Sequence, residues 1–152
     1  MSVAALVLAA GRGERLGLRM PKAFVPLAGR PLLLHALAAM AAVPAIERVV
    51  PVIARADLER WERLAPELAA IPKLAAPAFG GAERQDSVRA GLGALGPGSE
   101  WVAVHDAATS AVILPPLLTI APSGRPRNVP ETESAPSLLM MILGLPFVIL
   151  SA

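Results

Sequence analysis

The sequence predicts an α/β fold built on a mainly parallel sheet, and three observations carry that prediction. Short β-type runs alternate with helix-period segments from Val3 to Asp106, the pattern of successive βαβ units. The first run is apolar throughout, as in a strand covered on both faces. Alanine and leucine supply most of a 55% hydrophobic fraction, which suits helices packed on a sheet.

Val3–Ala9 reads as the first strand and ends at a glycine-containing loop. Pro31–Val43 places Leu33, Leu37 and Met40 at i, i+4 and i+7, a helical stripe with proline in a first turn. Arg48–Ile53 is rich in β-branched residues and reads as a second strand, with Pro51 placing it near a sheet edge. Asp57 is positioned to cap a helix carrying Leu58, Trp61 and Leu64 and interrupted at Pro66. Lys73–Pro77 is a short, poorly patterned strand candidate. Arg84–Leu95 has helical spacing through Val88, Leu92 and Leu95, and Trp101–His105 is a fourth strand ending at Asp106.

After Ala108 the organisation changes. Seven of the 16 prolines fall in residues 109–152 and interrupt the apolar blocks 112–118 and 138–150. Neither block keeps a helical or strand period, so this stretch supplies no regular βα unit. The chain therefore divides into an α/β part, 1–108, and a Pro-rich apolar tail, 109–152.

Composition excludes several classes. With no cysteine there is no disulfide framework and no thiolate metal site. Only 17% of residues are charged against 55% hydrophobic, the opposite of a disordered chain. Fourteen basic residues face 12 acidic ones, no basic run occurs and aromatics make up 3%, so nucleic acid is not an expected partner. The stretch 138–150 contains Gly144 and Pro146 and falls short of the roughly 18 apolar residues that span a bilayer. Residues 1–8 lack a basic segment before their apolar run. The expectation is a cytoplasmic protein with no membrane partner.

The most informative segment is Ala9-Ala10-Gly11-Arg12-Gly13-Glu14-Arg15-Leu16, followed by Pro21-Lys22. It leaves the carboxyl end of the first strand, where α/β proteins bind ligands. Gly11 and Gly13 let the backbone approach phosphate oxygens. Arg12, Arg15, Arg19 and Lys22 supply the countercharge for a polyphosphate. A dinucleotide fingerprint would need glycine where Leu16 stands, and no Gly-Lys-Ser/Thr of a Walker loop is present.

Two further segments narrow the reading: Gly80-Gly81-Ala82-Glu83-Arg84-Gln85-Asp86-Ser87-Val88 and Trp101-Val102-Ala103-Val104-His105-Asp106-Ala107-Ala108. In this order and at these separations, residues 3–108 resemble the 2-C-methyl-D-erythritol 4-phosphate cytidylyltransferase family. The resemblance implies a Rossmann-like nucleotidyltransferase fold, a three-layer sandwich of which the chain holds about the first half. It implies transfer of CMP from CTP to 2-C-methyl-D-erythritol 4-phosphate with release of pyrophosphate, in the non-mevalonate route to isoprenoid precursors.

By that resemblance Arg15 and Lys22 are catalytic, stabilising the transition state and the leaving pyrophosphate. Ala9, Ala10, Gly11, Gly13, Gly81, Ala82, Arg84 and Ser87 bind CTP, and Asp106 holds Mg²⁺. Plain alternatives are solvated loop charges for Arg15 and Lys22, and helix caps for Ser87 and Asp106. His105 reads as a structural strand-end residue and His35 as a packing or surface histidine. Ala82 stands where the family often has an acidic or hydroxyl side chain, and Thr109-Ser110 stand where it continues Arg-Pro. The family is homodimeric through an arm in its second half, which residues 109–152 do not resemble. The sequence thus predicts a nearly complete CTP side and no acceptor side, with little or no turnover, as a frameshifted or foreign tail would leave it. The alternatives are a non-catalytic CTP-binding remnant and a ribitol- or polyol-phosphate cytidylyltransferase, with a dinucleotide-binding protein third.

Overall fold

The computed structural model describes residues 2–11, 20–96, 98–108 and 148–151. In chain order the elements are β1 (Val3–Ala9), β2 (Pro26–Leu27), β3 (Arg30–Pro31), α1 (Leu32–Ala42) and β4 (Ile46–Ile53). They continue with α2 (Leu58–Glu62), α3 (Ala65–Ala69), β5 (Ala78–Phe79), α4 (Arg84–Leu95), β6 (Trp101–Asp106) and β7 (Val148–Ser151).

The main sheet has the order β5-β4-β1-β6-β7. β4 and β6 flank β1 in parallel, β5 joins β4 in parallel, and β7 closes the other side antiparallel to β6. The chain starts in the middle, builds outward through β4 and β5, then returns to the far side of β1. That reversal makes a topological switch point between β1 and β6, where ligand crevices form in open α/β sheets.

All seven residues of β1 are buried, because both sheet faces are covered. Val3, Ala5, Val7 and Ala9 join a cluster with Leu33, Leu37 and Met40 of α1, Trp61 of α2 and Leu68 of α3. Ala4, Leu6 and Leu8 join the opposite cluster with Val50, Val52, Val102, Val104 and Leu95 of α4. The period of two along the strand thus sends alternate side chains into two separate cores. The α/β, three-layer, mainly parallel arrangement is the one the sequence predicts.

Four local details differ from the sequence reading. Asp57 precedes α2 but makes no capping bond; its buried carboxylate instead accepts from Arg60 at 2.6 Å. The buried stripe of α4 is Ser87, Gly91 and Leu95, while Leu92 is exposed. A side chain at Gly91 would begin 2.9–3.0 Å from Leu6 and Val52, so the helix lies on the sheet through its smallest residues. The third strand is Ala78–Phe79, with only an isolated bridge from Leu74 to Val49 upstream.

Pro51 accounts for that break. Val49 donates to Lys73 and accepts from Ala75, and Ile53 accepts from Gly80. Odd-numbered residues of β4 therefore face the third strand, and Pro51 has no N–H to offer there. The fourth difference is β7, which the period analysis of the tail does not foresee.

The β2–β3 hairpin turns through Ala28 (φ 51°) and Gly29 (φ 78°), the doubly positive geometry favoured by two-residue hairpins. His35 Nε2 donates to the Leu27 carbonyl at 3.0 Å, tying the hairpin to α1.

Candidate active site

Beyond the carboxyl ends of β1 and β6, at the switch point, lies a cleft of about 290 Å³. One wall is Leu8–Gly11 as the chain leaves β1, and Lys22 and Ala23 enter from the short turn after the glycine loop. The opposite wall is Gly81–Arg84 and Ser87 at the start of α4, and Asp106 and Ala108 close the end of β6. Nine of the eleven site residues predicted from sequence therefore line one cavity: Ala9, Ala10, Gly11, Lys22, Gly81, Ala82, Arg84, Ser87 and Asp106. Gly13 and Arg15 lie outside the described residues.

Each wall is fixed by the fold beneath it. The Ala107 amide donates to the Leu8 carbonyl at 2.9 Å, so β1 and β6 end level with one another. Lys22 opens a single helical turn whose next two residues, Ala23 and Phe24, are buried, leaving the lysine itself exposed at the rim. The Gly80 amide donates to the Ile53 carbonyl at 2.9 Å. A Cβ on Gly80 would sit 2.5 Å from Ser87 Oγ and 2.6 Å from the Ala10 methyl. Glycine there lets the loop after β1 and the start of α4 meet. The site assignment from sequence missed Gly80, although the Gly-Gly doublet ahead of a helix was a signal for it.

At the head of α4 the N-cap is Glu83, not Ser87. Asp86 accepts from the Glu83 amide at 3.3 Å in a capping-box arrangement. Ser87 lies one turn in, buried, and donates its hydroxyl to the Glu83 carbonyl at 3.3 Å. Its oxygen lone pairs can still accept a hydrogen bond. The helix N-terminus opens on the cleft and favours an anion there by about 0.3–1 kcal/mol.

The predicted metal residue, Asp106, is paired across the cleft with a predicted nucleotide residue. Arg84 Nε donates to Oδ1 and Nη2 to Oδ2, both at 3.3 Å, with both side chains about half exposed. Such exposed pairs contribute about 0.2–1 kcal/mol, so this one can open. His105 is fully buried and does not line the cleft. Burial pushes its pKa below the ordinary value, partly offset by the charge of Asp106.

Among the described residues there is no group of three or more His, Asp or Glu that could cage a metal. Asp106 nevertheless fits magnesium, which typically takes one or two carboxylates and completes its shell with substrate phosphates and water. No helix among the described residues is long and apolar enough to cross a membrane.

The profile of the 2-C-methyl-D-erythritol 4-phosphate cytidylyltransferase family matches residues 3–121. The chain belongs to that family. A 2-C-methyl-D-erythritol 4-phosphate cytidylyltransferase of Pelotomaculum thermopropionicum is 46% identical over 106 residues, covering 70% of this chain and 44% of the relative. One from Cereibacter sphaeroides is 42% identical over 137 residues, covering 90% of this chain and 56% of the relative. Among solved structures, the 4-diphosphocytidyl-2C-methyl-D-erythritol synthase of Anaerococcus prevotii superposes with a TM-score of 0.56 at 27% identity. That superposition spans 69% of this chain and 42% of that one. The chain spans about half the length of the curated relatives it matches. Cytidylyltransferase family membership accounts for the Rossmann-like topology and for the three motifs that converge on the cleft.

Proposed function

We propose that the cleft is the CTP site of a CMP transfer to 2-C-methyl-D-erythritol 4-phosphate. A phosphate oxygen of the acceptor attacks the α-phosphorus of CTP, the bond from that phosphorus to the bridging oxygen breaks, and pyrophosphate leaves. The reaction needs positioning and charge neutralisation more than covalent chemistry from the protein. The observation that carries this reading is the convergence of three separated motifs on a single cavity at the switch point.

In this reading the backbone from Ala9 to Gly11 and the start of α4 cradle the nucleotide. Gly81, Ala82 and Ser87 face the cytidine, with the Ser87 oxygen able to accept from an amino group on the base. Lys22 and Arg15 offset negative charge on the reacting phosphates, and Arg84 adds a guanidinium fork. Asp106 would hold Mg²⁺, which when bound neutralises phosphate charge.

Calorimetric titration with CTP, UTP, ATP and GTP in magnesium buffer tests the reading. CTP is expected to bind most tightly, and Lys22→Ala to weaken it by about tenfold, the loss of one charge-assisted contact. A folded protein that binds no nucleotide, or binds all four alike, would overturn the proposal. Pyrophosphate release from CTP with 2-C-methyl-D-erythritol 4-phosphate is expected to be little or none for this chain, and robust turnover would overturn the alternative of a non-catalytic CTP-binding remnant.

A further inference from the structure

We propose that Arg84 is a latch on Asp106: with no nucleotide in the cleft, its guanidinium occupies both carboxylate oxygens and withholds them from a divalent cation. The inference rests on the reading of the cleft as a nucleotide and metal site, and adds a device to it. Its basis is the fork geometry, Nε on Oδ1 and Nη2 on Oδ2 at 3.3 Å each. The partners come from different elements, the head of α4 and the tip of β6, and face each other across the cavity.

A cation approaching Asp106 meets a neutralised carboxylate beside a fixed positive charge. Among the described residues no cluster of other acidic groups or histidines compensates for that loss. The latch is nonetheless weak enough to open. Its hydrogen bonds are longer than the usual N–H···O distance, and both side chains are about half exposed. A pair of this kind shifts an equilibrium by no more than about fivefold.

A polyphosphate offers the same guanidinium a bidentate partner of higher charge. As phosphate oxygens take up Arg84, Asp106 is released to the cation. The two ligands are therefore coupled through one side chain, and the coupling is reciprocal. Arg84 acts here as a positioning residue, since it governs the cation through Asp106.

The test is Mn²⁺ binding to the nucleotide-free full chain, read from the electron paramagnetic resonance of free Mn²⁺ at low ionic strength. Arg84→Gln is expected to bind Mn²⁺ more tightly than wild type, by up to about fivefold, and adding Asp106→Asn should abolish the gain. Arg84→Lys keeps the charge without the fork and should fall between. Both side chains are solvent-exposed, and circular dichroism checks that each variant is folded. Unchanged Mn²⁺ affinity in Arg84→Gln, or a gain that survives Asp106→Asn, would overturn the latch. CTP titration in EDTA separates this outcome from failure of the functional reading. Absence of CTP binding by wild type would remove the nucleotide site while leaving the Mn²⁺ result to stand or fall by itself. If CTP binds, Asp106→Asn should tighten it, and by less when Arg84 is already Gln; equal gains in both backgrounds would also overturn the latch.

Discussion

At Gly80 the backbone passes so near Ser87 Oγ and the Ala10 methyl that a single added carbon has no room. The Ala10 methyl is carried directly on the backbone, so relief must come from separating the loop after β1 from the head of α4. Gly80→Ala is expected to cost about 1–3 kcal/mol of stability and to weaken nucleotide binding. Urea denaturation alongside CTP titration checks both, and a variant with wild-type midpoint and affinity would show that the close approach is dispensable. Ala28 presents the reverse case, a residue with a Cβ held at φ 51°. Left-handed backbone costs an alanine about 1 kcal/mol, so Ala28→Gly or Ala28→Asn should raise the thermal midpoint by a few degrees. A fall in midpoint would mean that the turn depends on the alanine side chain. The sequence showed which residue types gather at the cleft, because glycine, lysine, arginine and aspartate advertise phosphate chemistry. It did not show that Arg84 and Asp106 pair, since they are 22 positions apart and meet only once α4 crosses the sheet.

Among the elements, those whose burial repeats with a strong period were legible: β1, α1 and β6 stand close to where their patterns put them. α4 has the predicted limits but a different buried face, because a stripe of small residues under Gly91 carries no hydrophobic signal. β5 was misplaced by a few residues, since the donor that Pro51 lacks breaks the ladder from the neighbouring strand. β6 also carries a titratable burden. His105 is fully buried within it, and burial lowers its pKa despite the opposing charge of Asp106. Above its ordinary value near 6.5, folded and unfolded chains both hold it neutral and it contributes no slope. As pH falls below that value the unfolded chain binds a proton that the folded chain refuses, so stability declines until the lowered folded value is reached. The decline is bounded at about 1.4 kcal/mol per pH unit for one proton. Urea midpoints in metal-free buffer should therefore drop from pH 7.5 to 5.5, and His105→Gln should reduce that drop. Equal drops in both proteins would place the titration elsewhere.

Across the whole molecule, one topological feature explains why three distant motifs form one site. β1 and β6 are neighbours in space although about a hundred residues separate their starts, and the loops that leave their carboxyl ends cannot avoid facing each other. That much follows from alternating strands and helices, which is why the α/β class was readable from sequence. The outer boundary of the sheet was not readable, because an edge is defined by what pairs with it. In β6 the backbone groups of residues 101 and 107 turn toward β1, Trp101 donating to Ser2 and Ala107 to Leu8. By the alternation of a strand, Val102 and Val104 turn the other way, toward Leu150 and Val148 of β7. Removing residues 148–152 would leave those amides and carbonyls as an open edge beside two buried cores. An open, apolar edge strand is a template for pairing with another chain. The shortened chain is thus expected to lose about 2–4 kcal/mol, the net worth of several ladder bonds, and to associate as concentration rises. Sedimentation velocity on the two chains at matched concentrations, with their urea midpoints, measures both consequences. A shortened chain with unchanged sedimentation and midpoint would mean that β7 protects nothing, and that the edge of β6 is tolerated by its own twist.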